Sequence, residues 1–511
     1  MALVEPGAHG GAMTRDGPAS DDGPSALRQA QLHLAMAAVC CASGDADRAR
    51  TEVDAVLEQP GLPASLYEAA GRRRTIALLT NVDQGDLEVD RLMAEVGEDA
   101  RRGAVADECS PTALVVAAVA AWRHGLVDQT LQLLWAAERR GREPCDDSFP
   151  GLGLSVVLTT LGRVEDAYAC TAAAADEIRL DGHPLWSAAP ALFAARVDLA
   201  AGRVDSATTS ARTGLDMTCE MSSSSLAPIA WNVLVHAALR RGELGRATEL
   251  FDEWNATTAP GMLLFGTPHQ RWSELRLRDA HGVDLLGDPG TETTYDVVAS
   301  DRRLLLEEPG AAAWLTRVAV RADDQRRAQV VVQAVEHLAA TNPRHRAIVA
   351  AAWHARGVAG HDLTALRSAA TMHCAPWDRA SAAEDAAHVS LARGDRAAAR
   401  SWLERAVTDY DLGGATHDAA RIRSRLRDVG VRVRHWSSQT RPVSGWESLT
   451  ETESVVTGFV AEGLSNQQVA TRMFLSRHTV DFHLRHIFRK LGIDSRVVLT
   501  RIALSHEPAC S

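Results

Sequence analysis

A turn recurs along most of this 511-residue chain, and it restricts the fold more than any other feature. The phrase is a helical run, a glycine, and a second helical run with a small residue five places after the turn. Gly44 with Ala49, Gly162 with Ala167, Gly202 with Ala207, Gly242 with Ala247 and Gly394 with Ala399 carry it cleanly. Gly125 with Thr130 and Gly360 with Ala365 are close variants. Weaker copies centre on Gly85, Gly282 and Asp323, so successive turns fall 34 to 41 residues apart. Self-similarity at this period predicts stacked helical hairpins, each unable to bury its apolar face alone. The small residue marks the closest approach of two antiparallel helices, where a larger side chain would hold them apart.

Composition agrees with an all-α chain. Only 5% of residues are aromatic, and abundant alanine and leucine favour helix over strand. No apolar run approaches a membrane span, and the stretch from residue 113 to 122 is about half of one. The start, MALVEPGAHGG, has neither a basic head nor a hydrophobic signal core, which predicts a cytoplasmic location. Eight scattered cysteines without a C-x-x-C pattern suit thiols in a reducing compartment. Lys490 is the only lysine. A Walker A loop needs a lysine at the nucleotide phosphates, so no P-loop ATPase is expected within this chain. No nucleophile elbow, H-E-x-x-H or dinucleotide loop is present either, and neither enzymatic activity, cofactor nor metal is expected.

Residues 1–24 mix Gly, Pro, Asp and Ala without periodicity and read as a disordered N-terminus. Residues 25–433 read as the helical-repeat domain, 434–446 (RHWSSQTRPVSGW) as a linker, and 447–506 as a second domain. The repeat pattern resembles a tetratricopeptide array with a period longer than that repeat's usual one. Such a solenoid offers a long concave surface for a protein segment or a small effector. Trp186, Trp231, Trp254, Trp272, Trp314, Trp353, Trp377 and Trp402 are expected to pack within and between repeats, and His345, His354 and His361 show no ligand spacing.

The last domain is written in caps and stripes. Ser465-x-x-Gln468 is a capping box ahead of Val469, Ala470 and Met473. Ser476 suits the cap of a second helix carrying Val480, Leu484, Ile487 and Leu491 on one face before Gly492 stops it. Arg477, His478, Asp481, Phe482, Arg485 and Arg489 fall outside that stripe. A preceding helix runs from the Thr450-x-x-Glu453 box, through Val456, Phe459 and Val460, to Gly463. A fourth, capped at Asp494 or Ser495, carries Val498, Leu499 and Ile502. Residues 465–506 hold seven Arg or Lys against two Asp or Glu, a balance of +5 in a chain of net charge −12. A local basic face on an acidic body is the electrostatic footprint of a DNA-binding element.

These residues resemble a known family. Leu449-Thr450-x-x-Glu453, Gly463-Leu464-Ser465-Asn466, Val469-Ala470, Ser476, Thr479-Val480, His483, Lys490-Leu491-Gly492 and Ser495-Arg496 are similar to the LuxR-type helix-turn-helix of bacterial transcriptional regulators. The likeness implies that the helix from Ser476 enters a DNA major groove, with Asp481, Phe482 and Arg485 at base edges and Thr479 and Lys490 at phosphates. Ser465, Asn466, Ser476, Arg477 and His478 complete the expected DNA-binding set. Many members carry lysine where this chain has Asp481; a carboxylate there either accepts from a cytosine amino group or pairs with Arg477 or Arg485. Phe482 either meets a thymine methyl or is covered by a neighbouring helix. His483 is expected to be packed beside the stripe.

The two parts together resemble the C-terminal half of the large LuxR-type regulators, without their ATPase half. The expectation is a transcriptional regulator, an activator more often than a repressor in that family. It would act as a homodimer on double-stranded DNA with RNA polymerase as a partner, and a protein or small-molecule effector would meet the repeat domain. The alternatives are a protein-interaction adaptor whose helix-turn-helix does not bind DNA, and a sigma-factor-like subunit.

Overall fold

A computed structural model describes residues 23–43, 45–67, 69–71, 111–140, 149–181, 186–220, 224–257, 267–428, 446–449, 451–472 and 477–506. Residues 1–22 of the expected disordered N-terminus, nearly all of the linker and the turns at Gly44 and Gly85 lie outside the described residues; Gly23 and Pro24, expected to be disordered, begin the helix Gly23–Ser43. Every described element is helical. The chain divides into two compact units, Met1–Val431 and Arg432–Ser511.

In the first unit, antiparallel helices follow one another as hairpins: Val164–Asp181 after Pro150–Thr160, Val204–Glu220 after Ala189–Ala200, and Leu244–Thr257 after Ala227–Arg241. The later pairs Pro309–Arg321 with Gln325–Thr341 and Pro376–Ala392 with Arg396–Leu412 repeat the arrangement. The turns have one geometry. Gly125, Gly162, Gly202, Gly242, Gly282 and Gly394 all take positive φ, as does Asp323 at φ 58°. At Gly162 the turn amide donates to Thr159 O, and the Arg163 amide reaches back to Leu158 O. That is the Schellman closure, which satisfies two carbonyls left over at the helix end. Gly202, Gly242, Gly394 and Asp323 close identically.

Two details differ from the sequence reading. Near residue 360 the left-handed residue is His361 at φ 49°, because the amide that reaches back five residues belongs to Asp362. Gly414, at φ 63°, is a further turn of the same kind that the spacing did not reveal. The small residues behave as expected: Ala167, Ala207, Ala247, Ala328, Ala365 and Ala399 are fully buried, and Thr130 is 1% exposed.

The expected long concave surface is bordered by contacts between the two halves of the unit. The stack closes on itself, and hairpin tips from the first half press on the second. Buried Asn342 donates to Gly125 O at 2.7 Å and accepts from the Val127 amide at 3.1 Å. Trp122 Nε1 donates to Glu307 Oε1 at 2.8 Å, and Asp128 meets His345 at 2.8 Å. One apolar core accordingly joins residues 114–170 to residues 272–355. Gly202 lies so close to the next layer that a Cβ there would overlap the Leu412 carbonyl oxygen and stand 2.6 Å from Gly413 Cα. Gly394, with a similar φ of +78°, has open space around it.

That contrast gives a controlled pair. Gly394→Ala should cost about 1 kcal/mol from left-handed strain alone. Gly202→Ala adds a clash with backbone that cannot rotate away and should cost about 3 kcal/mol or more. Equal losses in urea unfolding would contradict the close packing of that tip.

Three buried imidazoles and one half-buried one make the unit acid-sensitive. Burial holds His236, His354 and His373 below the usual histidine range, and it takes His269 to about 3 despite the pull of Glu307. His354 and His373 face each other at 3.2 Å, and His354 also meets Asp385 at 2.9 Å. These rings stay neutral in the fold but take a proton at about 6.5 when unfolded, so stability is complete above that pH and falls below it. Each contributes up to about 1.4 kcal/mol per pH unit. Burial pushes the Asp385 carboxyl up, but Arg317 and His354 outweigh it and hold it at about 2. Its loss begins only at lower pH. The Asp378 carboxyl, which burial raises to about 7, adds stability as the pH falls through the histidines' range and offsets part of this. The melting temperature should fall between pH 7.5 and 5.5, more steeply in Asp378→Asn, and His269→Gln should flatten the fall; a level profile in Asp378→Asn would refute this.

Candidate nucleic-acid interface

The C-terminal unit is built around the helix Arg477–Leu491. Val480 and Ile487 are fully buried and Leu484 is 6% exposed. They enter a core with Leu449, Val456, Val460, Val469, Ala470 and Leu499. Phe488, which the stripe did not include, packs against this core from the side. Glu451–Ala461 and Asn466–Arg472 precede the helix and Arg496–His506 follows it. Gly463 and Gly492 take φ of 86° and 66° at the turns, as a C-terminal stop requires.

The capping box at Ser465 is formed on both sides. The Ser465 amide donates to Gln468 Oε1 at 2.8 Å, and the Gln468 amide to Ser465 Oγ at 3.4 Å. Thr450 of the other expected box lies outside the described residues. Its partner position, Glu453, is buried and accepts from Lys490 Nζ at 2.5 Å. Lys490 also donates to Ser448 O at 3.0 Å. The resemblance places Lys490 at a phosphate; in the structure its ammonium is turned inward, tying the end of the central helix to the start of the domain.

Asp481 makes neither of the arginine pairs considered for it. Its Oδ1 accepts from Asn466 Nδ2 at 2.5 Å, while Arg485 Nε donates to the Asp481 backbone oxygen at 3.3 Å. The other end of the Asn466 amide accepts from Arg496 at 2.6 Å, and Arg496 also donates to Leu464 O. Both ends of Asn466 are thus occupied, and the arginine–asparagine–aspartate chain fixes the central helix against its two neighbours. Sequence reading counted Arg496 only as part of a motif; the signal that could have exposed its task is the position of Asn466 immediately after the Ser465 cap.

On the outer face Arg477, Arg485 and Arg489 are exposed. Among the described residues no acidic side chain pairs with them, so the positive field faces solvent. Ser476 and the side chains of His478, Thr479 and Phe482 lie outside the described ones. His483 is half-buried beside the stripe. On the last helix Leu499 and Ala503 are buried, while Val497 is 77% exposed.

A short helix, a turn, and a longer helix clamped on its apolar side with arginines outward make this unit a helix-turn-helix domain. Residues 447–503 match the family described as bacterial regulatory proteins, luxR family, and the C-terminal domain is a LuxR-family helix-turn-helix domain. A stretch of 97 residues is 41% identical to an HTH-type transcriptional regulator of Mycobacterium tuberculosis, covering 19% of this chain and 11% of that protein. The DNA-binding transcriptional activator DevR/DosR of Mycobacterium tuberculosis is 34% identical over 113 residues, covering 21% of this chain and 48% of that protein. The chain thus spans only a minor part of the length of these relatives. Among solved structures, a Rap conjugation gene regulator of the plasmid pLS20 in complex with the Phr* peptide aligns with 80% of this chain and 98% of that one, at 12% identity and a TM-score of 0.39.

The inward lysine gives a direct test. Glu453→Ala would strand a three-quarters-buried ammonium and should destabilise the domain by about 1–3 kcal/mol. Hydrogen exchange on the full chain should show faster exchange across Arg477–Leu491 and no change at Pro309–Arg321; unaltered protection in the central helix would remove the clamp role.

Proposed function

We propose that this chain is a DNA-binding transcriptional regulator. Arg477–Leu491 is the helix that enters the major groove, and the observation that carries the reading is its division into a clamped aliphatic face and an exposed arginine face. Arg485 reads a base edge. Arg477, with His478, Thr479 and Arg489, meets the backbone, and Ser476 and Phe482 complete the groove contact. Ser465, Asn466 and Asp481 orient the helix, with the cap and the Asn466 bridge supporting that role. Residues 447–506 are the DNA-binding domain, 434–446 the linker and 25–433 the repeat domain that receives a protein or small-molecule effector. The protein acts as a homodimer through its last helix, where exposed Val497 supplies an apolar contact, and it works as an activator that engages RNA polymerase.

DNA fragments retained by the full chain from sheared genomic DNA, once sequenced, should share one motif. An absence of enrichment would favour the adaptor reading. On the enriched fragment, Arg485→Ala should cost about 1–3 kcal/mol of specific binding. Arg477→Ala should weaken all sequences alike and lower the salt slope by about 1. Identical, sequence-blind effects of the two substitutions in a salt titration would overturn the assigned roles.

A further inference from the structure

The helices of the repeat unit border an open pocket of about 350 Å³. Eight charged residues border it; Arg203 is held by Asp198, Arg196 lies beside Glu307, and Glu165 is exposed. The other four come from separate segments: Arg240 at the end of Ala227–Arg241, Arg276 within Thr267–Ala280, Glu308 just before Pro309–Arg321, and Asp378 near the start of Pro376–Ala392. Trp272 and Trp377 form apolar walls. The Arg276 guanidinium lies 5.1 Å from the Trp377 ring and 5.3 Å from that of Trp272, and Arg240 lies 6.0 Å from the Trp377 ring.

These charges are not spent on one another. Among the described residues no ion pair joins Arg240 or Arg276 to Glu308 or Asp378. Arg240 gives one hydrogen bond to Leu199 O at 2.6 Å, and Arg276 lies over the Trp272, Trp314 and Trp377 rings within the field of Asp418 and Asp279. Glu308 has a histidine nitrogen 4.0 Å away. A second, adjacent cavity shows the alternative. There Arg317 is paired with Asp385, while Arg421 and Arg425 hold Glu384, and Arg276 is shared between the two linings. Holding two half-buried guanidiniums and two half-buried carboxyls near one another without ion pairs costs free energy unless something else answers them. Burial and Glu308 push the Asp378 carboxyl up to about 7 against Arg240 and Arg276. Burial likewise raises Glu308 and lowers both arginines. Among the described residues none of the four forms an arginine–carboxylate ion pair.

A simple anion would be repelled by the two acids, and a simple cation by the two arginines. We infer that the cavity is a receptor site for a small zwitterion, a free amino acid or dipeptide, with its carboxylate against Arg240 and Arg276 and its ammonium between Glu308 and Asp378. The tryptophan walls then take the ligand's apolar part, and the volume suits a molecule of that size. This deepens the effector reading of the repeat domain and rests on it.

The test uses the full chain with the proteinogenic amino acids and the dipeptides Gly-Phe and Ala-Leu, read by thermal melting and calorimetry. At least one zwitterion should raise the melting temperature by about 3 °C at a hundredfold excess over its Kd. Its N-acetyl and carboxamide derivatives should not. Asp378→Asn, which keeps the shape and should not lower the ligand-free melt, should weaken binding about tenfold or more, as should Arg276→Gln. An N-acetyl derivative that binds as well as the free form, or an Asp378→Asn protein that binds like the parent, overturns the assignment. Stabilisation by succinate or inorganic phosphate alone overturns the zwitterion while leaving the effector reading in place. Silence from every probe, with the enriched DNA still bound, overturns the site and leaves DNA binding standing.

Discussion

When a helix ends in a left-handed residue, two of its last carbonyls find partners within the turn, and where that residue is glycine nothing projects beyond the backbone. In the repeat unit both properties are used at once. The closures at Gly162, Gly202 and Gly242 end each hairpin's first helix at the same place, which keeps the buried alanines five residues on in register. The bare tips at Gly125 and Gly202 then admit residues more than two hundred positions away, Leu338 and Leu412 among them. Closure of the stack and the core that joins its two halves depend on that second property.

The local half of this was legible in the sequence. Positive φ favours glycine, and the alanine spacing follows from helix geometry, so turn positions could be read directly. Misreadings arise where another residue adopts that conformation. Asp323 was seen only as a degenerate copy, and at residues 360–361 the histidine, not the glycine, is left-handed. The closure itself was not legible. It depends on pairings such as Asn342 with Gly125 and Trp122 with Glu307, which carry no period and no motif. The charged lining is equally hidden, because its members come from helices between residues 227 and 392 that meet only when the stack bends round.

The C-terminal domain was legible further, since caps, stripe and stops are all local. The Ser465 box, the burial of Val480, Leu484 and Ile487, and the two glycine stops follow from the residues themselves. Sequence reasoning falls short wherever one polar side chain has several partners in reach. Asp481 had arginines a helical turn away on both sides, yet a neighbouring helix brought Asn466 closer. Lys490 had the pattern of a surface cation, yet buried Glu453 draws it inward. In both cases tertiary electrostatics overrides helix spacing.

The fold-back also bears on how the protein is made. The hairpin tip at Gly125 leaves the ribosome long before Asn342 has been translated, so the early hairpins exist for a time with one apolar flank uncovered. Contacts across such separations slow the final collapse of a chain and leave nascent intermediates prone to stick to one another. Unlike an open array, in which repeats can be added or removed at an end, this unit is complete only when its closing residues emerge. A truncated product would lose its interior as well as its last helices.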